Sequence, residues 1–191
     1  MLIIKGEKTY MKKSVQIAIV VFIGVVIVLF LGVTLLSNRN YIDKDIFADI
    51  SYMYSYENLK EEKGTQLKEM QMNMDGKTVW VVSLDGMHIV YSYLEDSDKP
   101  GAFMWAQFNS EAYTFGTQSV VVGMTRKDIE KIMRGAKRPQ PSISACNVLI
   151  SQENVQQKTS EDYYDDNYSY GMGFVYDEKD CVEYILLYKG L

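Results

Sequence analysis

The sequence has few of the residues on which small stapled scaffolds and many enzyme sites depend. It contains 2 cysteines, 3 prolines and 1 histidine in 191 residues. Two cysteines, Cys146 and Cys181, exclude a disulfide-dense scaffold, and no set of four Cys and His residues exists for structural zinc. Only one intramolecular bridge can form, and either that bridge or two free thiols fits the sequence.

Motifs that carry enzyme chemistry are also missing. A Ser-His-Asp triad would have to use the single histidine, His88, and no Gly-x-Ser-x-Gly elbow occurs. Ser-x-x-Lys, the Walker A loop and the dinucleotide glycine fingerprint are absent as well. The sequence therefore predicts no catalytic residue, no cofactor and no enzyme activity.

What the chain does have is a long uncharged stretch near its N-terminus. Residues 15–36 read VQIAIVVFIGVVIVLFLGVTLL, without a formal charge. A helix of this length measures about 33 Å, enough to cross a hydrocarbon core of about 30 Å. The stretch exceeds the apolar region of a signal peptide, and its exit lacks the small-x-small cleavage pattern. It therefore predicts an uncleaved transmembrane helix in the lipid bilayer.

Charges beside the stretch predict its orientation. Four lysines precede it within residues 1–14, whereas Arg39 and Lys44 follow it. This excess favours a cytoplasmic segment over 1–14, a linker over 37–44 and an extracytoplasmic domain over 45–191. Met11-Lys12-Lys13 also resembles a natural translation start, so either Met1 or Met11 fits as the first residue of the protein. Residues 37–191 carry 16 Lys and Arg against 24 Asp and Glu, a net charge of −8, which argues against binding to nucleic acid.

The first half of the predicted domain reads as a helix and a meander. Asp45 is placed to cap a helix through about Leu59, and Gly64 ends this element. Two Asp-Gly pairs, at 75–76 and 85–86, predict tight turns between three strands. Residues 103–108 predict a fourth strand.

The second half repeats this order. Thr125 is placed to cap a helix that ends at Gly135. Strands are predicted over 142–151, 168–176 and 181–188, and 152–162 is predicted to be a polar loop. The sequence thus predicts an α+β fold: a mostly antiparallel sheet with one or two packed helices. The helix-then-strands order, at about 45–94 and 124–189, hints at duplication.

One short motif resembles a motif of known protein families. The stretch 122–135, VGMTRKDIEKIMRG, with Pro139 after it, resembles the first motif of SmpA/OmlA-type envelope lipoproteins and of the β-lactamase-inhibitor-protein-like fold. Gly123, Met124, Thr125 and Ile129 match this motif, whereas Gly135 comes one residue late. The resemblance spans about residues 120–191. It implies a fold, an envelope location and protein binding, and it carries over no catalytic residue and no particular partner.

Two sets of residues are candidate binding sites. Met70, Met72 and Met74 alternate on one predicted strand, and thioethers suit Cu(I), with His88 as a further ligand. The alternative reading is that these methionines fill the core, so no metal site is predicted. The acidic segment from Asp162 onward concentrates tyrosines, whose rings offer rigid contact area. Tyr163, Tyr164, Tyr168 and Tyr170 are the candidate partner contacts.

Three functional hypotheses follow, and the first is favoured. It is a single-pass bacterial envelope protein whose extracytoplasmic domain binds or scaffolds another envelope protein without catalysis. The alternative is copper handling through the Met-x-Met-x-Met strand. A pseudopilin-like secretion subunit is the third, although the acidic residue expected near the start of such a helix is missing.

Overall fold

The structure is a computed structural model, and it describes residues 55–116, 120–135, 140–151, 154–164 and 169–189. All of them belong to one compact unit of the chain, Tyr41–Leu191. The predicted cytoplasmic segment, transmembrane stretch and linker lie outside the described residues. Within the described ranges, no helix has the length and apolar character needed to cross a membrane.

The first half consists of one short helix and a four-stranded meander. Helix α1 is Tyr56–Lys63 and a 3-10 turn, Gly64–Gln66, follows it. The strands are β1 Lys68–Met74, β2 Lys77–Leu84, β3 Met87–Ser92 and β4 Phe103–Phe108. Both Asp-Gly turns are confirmed, and Asp75 and Gly76 adopt positive φ angles of 52° and 77°, which suit a tight hairpin.

A helix that runs without a break from Asp45 to Leu59 is wrong, because the described helix α1 begins at Tyr56. Its N-cap is Ser55, whose side chain accepts a hydrogen bond from the Asn58 amide at 3.3 Å. The predicted end at Gly64 is confirmed, since Gly64 is the C-cap. Residues 45–54 lie outside the described part of the chain.

The second half has the same order of elements. Helix α2 is Arg126–Gly135, and four strands follow: β5 Ser142–Ser151, β6 Asn154–Tyr164, β7 Tyr170–Tyr176 and β8 Val182–Lys189. The predicted cap is confirmed, because Thr125 Oγ1 accepts the Asp128 amide at 3.2 Å and donates to the Asp128 carboxylate at 2.6 Å.

The predicted polar loop over 152–162 is wrong, because most of it is strand β6. This strand pairs antiparallel with β5 along nearly its whole length. Among the described strands, only β5 pairs with its first seven residues, and these are mostly exposed, which explains why most of them are polar. Backbone hydrogen bonds of a hairpin hold this segment, and such bonds leave no hydrophobic alternation in the sequence.

All eight strands form one antiparallel sheet in the order β1-β2-β3-β4-β8-β7-β6-β5. Each half contributes four consecutive strands, and the halves join through their last strands, β4 and β8. A helix followed by four strands therefore occurs twice. The α+β prediction is confirmed at this level.

One face of the sheet packs against the helices. Ile129 and Met133 of α2 and Tyr56 and Leu59 of α1 are buried there. They join the largest hydrophobic cluster, whose sheet members include Ile89, Phe108, Phe174, Ile185 and Leu187. The helices thus cover one face of the sheet, and the apolar residues of the other face must be buried by other contacts.

The other face closes because the sheet curls on itself. The β5–β6 hairpin extends beyond β7 and brings Leu149 against Met74, Val79 and Val90 of the first half. The side-chain amide of Gln107 in β4 fastens this hairpin. Its Nε2 donates to the Leu149 carbonyl at 2.9 Å, and its Oε1 accepts the Leu149 amide at 2.8 Å. We call this side of the sheet the curled face.

Candidate functional site

The curled face contains a cavity of about 850 Å³. The β1–β2 turn lies on one side of it and β5 and β6 on the other, while β4 and β8 also contribute to its lining. Asn147 of β5 donates to the Asp75 carboxylate in the turn at 2.6 Å, so the two sides are tied together. A volume of this size is within the range of small-molecule sites, about 300–1,000 Å³.

Strand register builds an aromatic wall in this cavity. Trp105 is paired with Tyr188, Tyr188 with Gly171, and Gly171 with Tyr164, so all four lie in one row on the curled face. Gly171 leaves room for the rings on either side of it. A Cβ at this position would lie 2.7 Å from Tyr188 Cδ2 and 2.9 Å from Tyr164 Cε1. The glycine therefore lets the two tyrosine rings approach each other over the strand.

A buried carboxylate lies in the adjacent row. Asp162 is 4% exposed, lines the cavity and accepts a hydrogen bond from the Tyr188 hydroxyl at 2.7 Å. This bond passes over Gly173, where a Cβ would collide with the Tyr188 hydroxyl and lie 2.5 Å from the carboxylate. Burial, together with the nearby Asp162 charge, raises the pKa of Tyr188 above its ordinary value, so this phenol stays protonated as the donor.

Cys146 also lines the cavity, as a thiol with low reactivity. Its Sγ points to the Lys158 carbonyl at 3.6 Å, and burial raises its pKa. A thiol of this kind holds little thiolate, the form that attacks and that binds metals. Cys146 and Cys181 are both free, so of the two states that fit the sequence the structure has the unbridged one.

The candidate metal ligands lie on two strands of the sheet, β1 and β3. Met70, Met72 and Met74 pack in the same hydrophobic cluster on the curled face, and Met74 is 8% exposed. His88 is in β3, where it is paired with Ser83 of β2, so β2 lies between His88 and the methionines of β1. Among the described residues, no group of three or more His, Cys, Asp and Glu side chains is placed to hold a metal ion.

His88 is partly buried and contacts a serine of the neighbouring strand. Its Nδ1 is 2.8 Å from Ser83 Oγ, and burial lowers its pKa, which favours the neutral ring. Within the described part of the chain no carboxylate is hydrogen-bonded to the ring, so the arrangement lacks the third member of a triad.

The described candidate contact tyrosines lie on different faces of the sheet, because successive side chains of a strand point to opposite sides. Tyr163 is 4% exposed and packs edge-to-face on Phe174, with ring centroids 6.0 Å apart. Burial raises its pKa to about 12. Tyr163 therefore faces the core, away from Tyr164, because neighbouring residues of a strand face opposite sides of the sheet. Tyr164 lines the cavity, Tyr170 is half-buried against the main core, and Tyr168 lies outside the described residues.

The cavity depends on residues that sequence reasoning missed. The sequence placed Asp162 at the end of a polar loop, whereas it is a buried strand residue. The one signal in the sequence was the Tyr-Gly-Met-Gly run at 170–173, since two glycines in a strand mark a close approach of other groups.

Comparisons with family models, with curated proteins and with solved structures found no match for this chain.

Proposed function

We propose that the chain is a single-pass bacterial envelope protein whose extracytoplasmic α+β domain binds another envelope protein and catalyses no reaction. The uncharged stretch 15–36 supports the anchor, and the lysine excess before it supports a cytoplasmic N-terminus. The resemblance of residues 122–135 to the first motif of small envelope domains supports the location. Within this stretch Gly123 has a φ angle of 90° and Ile129 is buried.

The open edge of β1 carries the proposal for binding. This strand is at one end of the sheet order, and no described strand pairs with its outer side. Met70 and Met72 lie half-buried beside the edge. An extended segment of a partner would add here as a further strand through backbone hydrogen bonds, with its side chains against these two adaptable methionines. The opposite edge, β5, is less accessible because Gln107 takes the backbone groups of Leu149.

Site-specific photo-crosslinking in intact cells tests this proposal. A crosslinking amino acid replaces Gln71, an exposed residue of β1, and a matched one replaces Lys99, an exposed loop residue. Mass spectrometry should recover a reproducible envelope protein from position 71 and much less of it from position 99. Recovery of nothing above background from position 71 in several growth conditions would contradict the proposal.

Copper handling is the second candidate function. Its support is that Met70, Met72 and Met74 share one face of β1, because their thioethers are soft ligands of the kind that suits Cu(I). Titration of the full chain with Cu(I) tests it. Binding weaker than about micromolar, or binding unchanged after Met→Leu replacement of all three, would exclude this candidate.

A further inference from the structure

The cavity contains a buried carboxylate that forms no ion pair with a described residue. Tyr188 is the one described hydrogen-bond donor to the Asp162 carboxylate. None of the described ion pairs includes Asp162, although Lys77 and Lys189 line the same cavity. Burying a carboxylate is costly unless it is paired and hydrogen-bonded. The geometry therefore leaves Asp162 able to accept further hydrogen bonds from a positively charged group.

The walls beside this carboxylate suit the rest of such a molecule. Trp105, Tyr164 and Tyr188 contribute aromatic surface, and Met74, Val79 and Leu186 contribute apolar surface. Aromatic faces attract cations, with about 0.5–2 kcal/mol per contact depending on desolvation. An apolar body with a positive end would contact both kinds of wall.

A purely structural role for Asp162 accounts for part of this arrangement. Its hydrogen bond to Tyr188 fastens β6 to β8 across Gly173. Fastening alone requires neither an ionisable side chain nor a cavity of about 850 Å³ next to it, since an asparagine would accept the same hydrogen bond. The charge and the open space are what point to a ligand.

We propose that this cavity binds a small organic molecule that carries a primary ammonium group on an apolar or aromatic body. The ammonium group donates to the Asp162 carboxylate, and the body lies along Trp105, Tyr164 and Tyr188. The site lies in the cavity of the curled face and does not use the outer edge of β1. Its ligand is thus distinct from the protein partner proposed above.

Isothermal titration of the full chain in uncharged maltoside micelles tests the ligand class. Three probes share a phenyl ring and differ in charge: 2-phenylethylammonium, 2-phenylethanol and 3-phenylpropionate. We expect the ammonium probe to bind at least about tenfold more tightly than the alcohol, because a charge-assisted hydrogen bond is roughly twice as strong as a neutral one, and we expect the carboxylate to bind most weakly. Equal binding of ammonium and alcohol, or no binding of the ammonium probe at about 10 mM, would overturn the proposal.

A pair of variants assigns the effect to one side chain. Asp162→Asn keeps an oxygen that accepts from Tyr188 and removes the charge, so the preference for ammonium over alcohol should disappear. Asp96→Asn makes the same change in an exposed loop and should leave the preference intact. If the preference survives in Asp162→Asn, the assignment is wrong. If that variant does not unfold cooperatively, the ranking of the three probes on the wild-type chain decides the proposal by itself.

The outcome is separable from that of the partner experiment. Ammonium-selective binding without a crosslinked partner at β1 would support the cavity and contradict the proposed protein-binding function. A partner at β1 without ammonium selectivity would do the reverse.

Discussion

Replacement of Gln107 by leucine should loosen the closure of the curled face. Gln107 is fully buried in β4, and its amide makes two hydrogen bonds to the backbone of Leu149, at 2.9 and 2.8 Å. Leu149 is 1% exposed, so water does not reach these backbone groups in the folded chain. Leucine has nearly the same volume but no polar atom, so the substitution removes the two bonds and leaves the packing largely filled.

The expected loss is large compared with the stability of an ordinary domain. Each buried backbone group without a partner costs about 1–3 kcal/mol, so two of them give about 2–6 kcal/mol. The lower end applies if the β5–β6 hairpin shifts and admits water. Domains are stable by about 5–15 kcal/mol in total, so even the lower value is measurable.

Urea unfolding of the full chain in maltoside micelles measures this loss. The matched control is Gln157→Leu, the same replacement at an exposed position of β6, and it should change stability by less than about 0.5 kcal/mol. Hydrogen exchange gives a local readout, because the Leu149 amide should be strongly protected in the wild type and exchange quickly in Gln107→Leu.

A small effect would refute the argument. If Gln107→Leu costs less than about 1 kcal/mol and the Leu149 amide stays protected, the hairpin is held by apolar contacts and not by the glutamine amide. The cavity should then also be insensitive to this residue.

Three further predictions concern single side chains. Gly173→Ala should destabilise the chain by about 1–3 kcal/mol, because its Cβ would collide with Tyr188 and Asp162, whereas Gly64→Ala, with open space around it, should change the melting temperature far less. Burial lowers the pKa of His88 in the folded chain. The unfolded chain therefore binds more protons than the folded chain near the ordinary histidine pKa, and the free energy of unfolding should fall as the pH drops from about 7.5 to about 5. Melting curves of His88→Gln should show a weaker pH dependence, and an unchanged one would assign it to other groups. Burial raises the pKa of Cys146, so iodoacetamide should alkylate it at least about tenfold more slowly in the folded chain than in urea, as mass spectrometry would show.

Much of the local structure could be predicted because its causes are local. The Asp-Gly turns need positive φ angles that glycine adopts easily, and Thr125 has its partner Asp128 three residues away. The β6 strand could not be predicted in this way, because its polar residues are held by pairing with β5 and not by burial. The burial of Asp162 and Tyr163 likewise depends on pairing of β6 with β7 and of β7 with β8, and Gly173 of β7 makes room for the contact between Asp162 and Tyr188.

The sequence by itself determined the uncharged stretch 15–36, the acidic balance of residues 37–191 and the positions of most strands and turns. These properties depend on the composition and spacing of neighbouring residues. The tertiary structure alone decided that β4 pairs with β8, that the β5–β6 hairpin folds over the curled face and that Asp162 meets an aromatic wall. Such contacts join residues far apart in the chain, and no local pattern encodes which strands become neighbours when a sheet curls.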